Sequence, residues 1–338
     1  MKDPVKNIDL EKRVFAASAE NFTELALDLF QFQYEHNDVY RKYCDLLKVV
    51  ASEVYSLEEI PFLPIAFFKS HEIKTTGFEP EAVFESSGTT GSVNSRHLVK
   101  DVQLYKKSFT AAFEKFYGAA SNKCILGLLP SYLERNNSSL IFMVDELIKQ
   151  SHNSLSGFYL YDLEKLHRTI QHNEILKQST LLIGVTYALL DFMEQYPMQL
   201  RNTIVMETGG MKGRREEITR KEVHRLVQQH SGVSLVHSEY GMTELLSQAY
   251  SKGDGIFHCP PWMKVLIREE DDPLTIYSAE TVKEKPITGA FNIIDLANIY
   301  SCSFIATSDV GRLFSNENFE VLGRMDNSDV RGCSLMVV

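Results

Sequence analysis

The sequence has few of the features that mark secreted, membrane-bound or metal-clustered proteins. Its 338 residues include five cysteines, at positions 44, 124, 259, 302 and 333, and no two of them form a Cys-x-x-Cys pair. An odd, scattered set of cysteines indicates reduced thiols rather than a disulfide framework or a zinc site. The first residues also contain no apolar signal core. We therefore expect a cytoplasmic protein.

Long apolar runs and an excess of positive charge are missing as well. The longest apolar run, near residues 181–190, is interrupted by Gly184 and Thr186 and is too short to span a bilayer. The formal net charge of −10 argues against a nucleic-acid-binding surface, which needs a basic patch. The 44% of hydrophobic residues is ordinary for a globular protein, and the length suggests about two domains.

The spacing of apolar residues predicts strands that alternate with helices. Helices are predicted twice within 19–50 and then at 101–117, at 138–149, from 188 onward and at 216–229. Strands are predicted at 81–85, 124–130, 157–161, 181–185, 202–206 and 234–237, and then, with little helix between them, at 265–268, 291–296, 303–307 and 319–323. The alternation indicates an α/β fold with parallel sheets covered by helices, followed by a β-rich part.

One stretch combines hydroxyl side chains with glycines in a way that suits an anion. It consists of Ser86, Ser87, Gly88, Thr89, Thr90 and Gly91, directly after the predicted strand at 81–85. Glycine lets a backbone approach an anion closely, and successive N–H groups form an anion-binding concavity. The stretch is not a Walker A loop, because only two residues separate its glycines and no lysine follows. It is either a phosphate loop or an ordinary turn.

This stretch resembles the phosphate loop of the adenylate-forming superfamily, which includes acyl-CoA synthetases and luciferases. Three later segments resemble motifs of the superfamily in the same order. Residues 240–244 match Tyr-Gly-x-Thr-Glu, residues 307–311 match Thr-Gly-Asp-x-Gly with Ser308 in place of the first glycine, and residues 323–326 match Gly-Arg-x-Asp. The short chain is most similar to the acyl-protein synthetases of bacterial fatty acid reductases, the LuxE-like branch.

The resemblance implies a domain arrangement. Residues 1–323 would form the adenylate-forming core, with a helical N-terminal part at 1–60 and a β-rich subdomain at 255–323. Residues 324–338 would form a truncated hinge and tail, and the family's mobile C-terminal domain would be absent or vestigial.

The resemblance also implies a site for ATP and Mg²⁺. Nucleotide-binding residues would be Ser86, Ser87, Gly88, Thr89, Thr90, Gly91, Thr208, Gly209, Gly210, Tyr240, Gly241, Asp309 and Arg324. Thr243 and Glu244 would be catalytic, with Glu244 as the ligand of Mg²⁺, a metal that takes carboxylates together with phosphate oxygens. The alternatives are structural: a helix start at Thr243 and Glu244, turns at 208–210 and Asp309, and a surface charge at Arg324. Arg96 and His97 are interpreted as solvated loop residues, with a contact to the nucleotide as the alternative.

The same family carries its acyl group on a cysteine near the C-terminus, which corresponds to Cys333. Thiolates are good acyl acceptors and are activated by nearby positive charge, here Arg331. The alternative for Cys333 is a buried small side chain. The predicted function is ATP-dependent activation of a carboxylic acid, with a fatty acid favoured, and its transfer to a protein thiol, with a reductase or carrier protein as partner. A phenylacetate-type CoA ligase and a non-catalytic nucleotide-binding subunit are the competing hypotheses.

Overall fold

The structure is a computed structural model that describes residues 5–86, 93–130, 137–210 and 218–325. Its helices are α1 (Val5–Val14), α2 (Phe22–His36), α3 (Asp38–Leu46), α4 (Phe67–Ser70), α5 (Val102–Tyr117), α6 (Ser139–Ser151), α7 (Leu163–Ile175), α8 (Thr186–Gln195) and α9 (Arg220–Ser231). None of them combines the length and the apolar character that a bilayer-spanning helix needs.

The strands of the described residues are β1 (Leu63–Pro64), β2 (Ala82–Glu85), β3 (Arg96–Val99), β4 (Cys124–Leu128), β5 (Gly157–Phe158), β6 (Thr180–Gly184), β7 (Thr203–Glu207), β8 (His237–Tyr240), β9 (Ala249–Ser251), β10 (Ile256–His258), β11 (Met263–Arg268), β12 (Ile276–Tyr277), β13 (Ile287–Asp295), β14 (Phe304–Leu313) and β15 (Phe319–Arg324). All except β2 and β3 join one sheet in the order β12-β11-β13-β14-β15-β10-β9-β8-β7-β6-β4-β5, and β1 pairs with β14. The hairpin β2–β3 forms a separate two-stranded sheet.

The predicted division into a parallel and a β-rich part is confirmed, and both parts belong to one hydrogen-bonded sheet. Strands β5, β4, β6, β7 and β8 are parallel, whereas every pair from β8–β9 to β11–β12 is antiparallel. The pairing changes from parallel to antiparallel at β8, and the carboxyl ends of the parallel strands β6, β7 and β8 share one edge of the sheet. Ligands of open α/β sheets bind outside the carboxyl ends of the strands.

The predicted elements overlap observed helices and strands, but α7 and β3 were not predicted, and β14 ends at Leu313, six residues beyond the strand predicted at 303–307. The Asp101 carboxylate accepts a hydrogen bond from the backbone N–H of Gln103, which caps α5, and the Ser138 hydroxyl accepts one from Ile141 at the start of α6. Such caps satisfy the unpaired N–H groups of a first helical turn. The strand predicted at 234–237 is wrong by three residues, because β8 begins at His237 and includes Tyr240.

Gly311, in the motif at 307–311, is required by packing. A Cβ atom at this position would lie 2.0 Å from the carbonyl oxygen of Glu320 and 2.2 Å from the ring of Phe291. Gly323, on the neighbouring strand β15, has no atom within 4 Å of an added Cβ. A side chain at position 311 would therefore clash with its neighbours, whereas one at position 323 would not.

We expect Gly311→Ala to lower the free energy of unfolding by about 1–3 kcal/mol, because the added methyl group must displace backbone and an aromatic ring. Gly323→Ala is the matched control and should stay within about 0.5 kcal/mol of the parent. Urea unfolding of the three proteins measures the difference. Equal stability of the two variants would contradict this interpretation of Gly311.

Candidate active site

The predicted catalytic residues Thr243 and Glu244 lie in the stretch 242–248, here called the catalytic segment. It runs from β8 to β9 without helix or strand geometry. The alternative that Thr243 and Glu244 begin a helix is therefore wrong. Side chains from other elements bind the backbone of the segment instead. Nδ1–H of His97 donates to the carbonyl oxygen of Thr243 over 2.8 Å, and Nδ2 of Asn298 donates to that of Glu244 over 2.7 Å. Buried polar groups thus replace the missing ladder of backbone hydrogen bonds.

The second half of the segment is held by Asp295, which is fully buried at the end of β13. Its carboxylate accepts hydrogen bonds from Leu246 N over 2.8 Å, Ser247 N over 3.0 Å and Ser247 Oγ over 2.6 Å. Burial raises the pKa of Asp295 to about 6, although these donors favour the charged form. The segment is therefore fixed from both ends by side chains that are out of contact with water.

Glu244 lies near the neck of the β2–β3 hairpin, formed by Ser86 and Ser95, which carries the predicted phosphate loop. Two hydrogen bonds close this neck, from Ser86 N to Ser95 O over 3.0 Å and from Ser95 N to Ser86 Oγ over 2.9 Å. Glu244 is only 4% exposed. Burial raises its pKa, while the hydrogen bond with the Ser95 side chain and the charge of Arg324 act in the opposite direction. The hydrogen bond from His97 to Thr243 O joins the catalytic segment to the hairpin.

The loop itself and the acyl-accepting cysteine lie outside the described residues. This applies to Ser87, Gly88, Thr89, Thr90, Gly91 and Cys333, whose roles remain predictions. The residues after the loop are described. Arg96 is exposed, with its guanidinium 3.9 Å from the Glu72 carboxylate. His97 is buried, so its interpretation as a solvated loop residue is wrong. Burial lowers the pKa of His97 to about 4, which keeps the imidazole neutral at neutral pH.

Hydrogen bonds join the side chains of Tyr240 on β8, Asp309 on β14 and Arg324 on β15. The Tyr240 hydroxyl donates to Asp309 Oδ2 over 2.7 Å, and Arg324 Nε donates to Asp309 Oδ1 over 2.8 Å. Burial and the Asp309 carboxylate raise the pKa of Tyr240 well above its usual range. The charge of Asp309 likewise raises the pKa of Arg324. Each Asp309 oxygen keeps a second lone pair, so the predicted acceptance of ribose hydroxyls is compatible with these bonds.

A glycine turn follows β7, next to the start of the catalytic segment after β8. Gly209 and Gly210 have φ angles of +75° and +92°, a region that favours glycine. Their carbonyl oxygens accept hydrogen bonds from Thr186 N over 3.2 Å and Tyr187 N over 3.5 Å, in the first turn of α8. Thr208 N donates to Gly184 O over 3.0 Å. The turn predicted to contact the purine is thus fixed against β6 and α8.

Glu207, the last residue of β7, was not predicted from the sequence. Its buried carboxylate accepts hydrogen bonds from Gly209 N over 2.6 Å, Thr186 Oγ1 over 3.2 Å and Arg220 Nε over 3.3 Å. Burial alone would raise the pKa of Glu207, but the contact with His224, the charge of Arg220 and the hydrogen bonds lower it to about 2. Glu207 is a charged anchor for the glycine turn. A carboxylate two positions before a pair of glycines was the available signal.

Glu239, one position before Tyr240, lies in an environment that raises the pKa of its carboxyl, whereas that of Glu207 is lowered. Strand alternation places it on the face away from Tyr240 and directly opposite Tyr250 in the β8–β9 pair. No hydrogen bond or ion pair joins its carboxyl to any part of the chain that the structure describes. Removal from water and the nearby Glu207 raise the pKa of Glu239 to about 8. Its Oε1 fills the space beside Gly241, where an added Cβ would lie 2.5 Å away.

Comparison with known proteins identifies the family. The model of the family described as "Acyl-protein synthetase, LuxE" matches residues 5–338. The chain belongs to the LuxE family. A relative in Aliivibrio fischeri, named long-chain-fatty-acid–luciferin-component ligase, is 22% identical over 350 residues, which cover 95% of this chain and 89% of the relative.

Solved structures agree with this LuxE family member in fold. A 2-hydroxyisobutyryl-CoA ligase in the postadenylation state matches 94% of this chain and 70% of its own, with a TM-score of 0.61 and 11% identity. ATP-bound MatB from Rhodopseudomonas palustris matches 72% of this chain with a TM-score of 0.52 and 16% identity, and this chain spans 48% of MatB. At this identity the comparison shows an adenylate-forming ligase fold.

The described residues fit a nucleotide with a divalent cation. An added Cβ at Gly209 meets no atom within 4 Å, so the turn has open space beside it. Glu244 is a buried carboxyl with a raised pKa, a group that a nearby cation stabilises in its charged form. No cluster of three potential metal-ligating side chains occurs among the described residues. A cation at Glu244 would thus need phosphate oxygens and water, which is the way Mg²⁺ is usually held.

The raised pKa of Glu239 gives a prediction with a definite sign. The folded protein keeps the proton of Glu239 up to about pH 8, whereas the ordinary value is 4.5, so stability falls as pH rises through this window. We expect Glu239→Gln to become more stable relative to the parent by up to about 1.4 kcal/mol per pH unit between these limits.

Urea unfolding at several pH values measures this trend. Glu164→Gln, which removes an exposed carboxyl on α7, is the control and should follow the parent at every pH. A constant stability difference between Glu239→Gln and the parent from pH 5 to pH 8 would contradict the proposed ionisation of Glu239.

Proposed function

We propose that this LuxE family member activates a fatty acid with ATP and transfers the acyl group to a cysteine thiol. The observation that carries the proposal is the convergence of the predicted residues at the carboxyl ends of β7 and β8. The glycine turn after β7 and the catalytic segment after β8 follow hydrogen-bonded neighbouring strands. Asp309 and Arg324 are close enough to influence the pKa of Glu244. Family membership over residues 5–338 supports the same reaction.

In the first half-reaction, a carboxylate oxygen of the acid attacks the α-phosphorus of ATP, and pyrophosphate leaves. Such a transfer depends mainly on positioning and on neutralising the phosphate charge. Ser86 and the loop residues 87–91 would bind the phosphates, and Thr243 would contact the α-phosphate. Residues 208–210 would lie against the purine, with Tyr240 and Gly241 close by, and Asp309 and Arg324 would bind the ribose side.

Mg²⁺ would be held by Glu244 and would supply positive charge to the phosphate oxygens. Glu244 suits this role because Asp295, Asn298 and His97 fix its backbone neighbourhood. The carboxylates of Glu207 and Asp309 already have cationic partners, Arg220 and Arg324. That leaves Glu244 as the carboxylate we assign to the metal.

In the second half-reaction, a thiolate attacks the acyl carbon, a thioester forms, AMP leaves, and the thiol proton passes to solvent. We assign the thiol to Cys333. The other cysteines are Cys44, Cys124, Cys259 and Cys302, and burial raises the pKa of each, which disfavours their thiolates. We infer a cytoplasmic location from these free thiols, and a reductase or carrier protein as the partner that receives the acyl group.

The proposal is tested by exchange of labelled pyrophosphate into ATP over a panel of fatty and aromatic acids. Exchange that requires an acid supports adenylate formation. Absence of exchange with every acid would favour the non-catalytic alternative. A product that forms only with coenzyme A would favour the CoA ligase.

For the metal role, we expect Glu244→Gln to reduce the exchange rate at least about 100-fold, about 3 kcal/mol, because a metal-held charge in the transition state is worth several kcal/mol. The variant keeps the shape of the side chain and should remain folded. Glu146→Gln, on α6 beside Lys106, is the matched control and should exchange normally. Normal exchange by folded Glu244→Gln would refute the assignment of the metal.

For the acyl role, we expect Cys333→Ala to retain pyrophosphate exchange, since adenylate formation needs no thiol. The same variant should acquire no labelled acyl group that survives denaturation and is released by neutral hydroxylamine. Cys259→Ala is the control and should be labelled like the parent. Labelling of Cys333→Ala at the level of the parent would remove the acyl-enzyme role and favour coenzyme A as the acceptor.

A further inference from the structure

The hairpin of the predicted phosphate loop is not part of the main sheet. Strands β2 and β3 pair only with each other among the described strands. The position of the hairpin relative to the catalytic segment therefore depends on contacts outside the strand ladder. On the β2 side, Glu85 N donates to Asn137 O over 2.8 Å, just before α6. On the β3 side, His97 donates a hydrogen bond to Thr243 O in the catalytic segment.

His97 provides the β3 contact that reaches the backbone of the segment. Its imidazole is 1% exposed and packs edge-on against Phe68, with ring centroids 6.0 Å apart. The Nδ1–H group bonds to Thr243 O over 2.8 Å, across 146 positions of the chain. A buried carbonyl oxygen that loses its donor is costly, so this bond fixes the distance between the two elements.

We propose that His97 is a positioning residue for adenylate formation, which holds the backbone at Thr243 and Glu244 against the β2–β3 hairpin. The inference rests on the proposed function, because both elements must act on the same phosphates. His97 itself touches no substrate in this proposal. Its contribution is geometric, and misplacement of catalytic groups by about 1 Å can reduce a rate about 100-fold.

Two substitutions of His97, one that keeps a hydrogen-bond donor and one that removes it, test whether the bond to Thr243 matters. In His97→Asn, the new Nδ2–H donor lies the same number of bonds from Cβ as the histidine Nδ1, so this variant should preserve the bond to Thr243. His97→Leu fills the same buried space without a donor. Asn173→Leu is the matched control: Asn173 is also 1% exposed, and its Nδ2 bonds Thr180 Oγ1 over 3.1 Å at the amino end of β6, the end opposite the glycine turn.

The first measurement is the kinetics of pyrophosphate exchange at a temperature where all four proteins are folded. We expect His97→Leu to lower the maximal exchange rate about 10- to 100-fold and to raise the Mg²⁺ concentration for half-maximal exchange. His97→Asn should stay within about threefold of the parent, and Asn173→Leu should do the same. Equal rates for His97→Leu and Asn173→Leu, or a loss in His97→Asn as large as that in His97→Leu, would overturn the proposal.

The second measurement is amide hydrogen exchange, which does not depend on activity. In His97→Leu, amides of residues 242–248 and of the hairpin should exchange at least about tenfold faster than in the parent, whereas Asn173→Leu should leave them unchanged. Unchanged protection in His97→Leu would overturn the positioning role. If the parent shows no pyrophosphate exchange with any acid, the proposed function fails, and amide exchange still decides whether His97 couples the two elements.

Discussion

The candidate site depends on one constraint: the backbone of residues 242–248 is hydrogen-bonded by buried side chains and not by a helix or strand. His97 on β3 supplies one of these bonds, and Asp295 and Asn298, at the end of β13 and in the turn after it, supply the others. Removing one partner would leave a buried polar group unsatisfied, at a cost of about 1–3 kcal/mol. The arrangement stabilises one backbone path that neither helix nor strand geometry provides.

The N-terminal helices contribute to the same constraint from a distance. Gln33 on α2 is fully buried, and its amide Nε2 donates to Asn298 O over 2.8 Å and Ile299 O over 2.9 Å. Its Oε1 accepts a hydrogen bond from Ser303 N over 2.9 Å. The turn that presents Asn298 to Glu244 is thus held by α2. No catalytic or binding residue is predicted in the N-terminal helices. Helix α2 nevertheless supports the catalytic segment, because Gln33 bonds the turn that contains Asn298 and Asn298 bonds Glu244 O.

The electrostatics of the strand ends limit the negative charge near a bound nucleotide. Glu207 is charged but bonded to Gly209 N and paired with Arg220, and Asp309 is paired with Arg324. Glu239 has neither kind of partner among the described residues, and its raised pKa keeps it protonated at neutral pH. Two glutamates on neighbouring strands thus reach opposite protonation states because only one has donors directed at it. A polyphosphate would meet little uncompensated negative charge from these residues.

The sequence predicted many of the helices and strands, because apolar spacing acts locally, although α7 was not predicted. Helices were predicted from residues 101 and 138, where Asp101 and Ser138 cap α5 and α6, and a hydrogen bond joins Tyr240 and Asp309 of two predicted motifs. The environments of His97, Glu207 and Glu239 were not predicted, because burial and pairing depend on residues far apart in the chain. His97 and Thr243, for example, are 146 positions apart. Only tertiary structure distinguishes a buried donor from a solvated loop residue.

The central claim, that the chain activates an acid as an acyl-adenylate, is tested most directly by the fate of the carboxylate oxygen. A fatty acid labelled with ¹⁸O in its carboxyl group would be incubated with ATP, Mg²⁺ and the protein, and the nucleotide products analysed by mass spectrometry. Attack on the α-phosphorus followed by acyl transfer leaves one labelled oxygen in AMP, which is the result we predict. Formation of ADP with label in inorganic phosphate, or of AMP without label, would contradict the account.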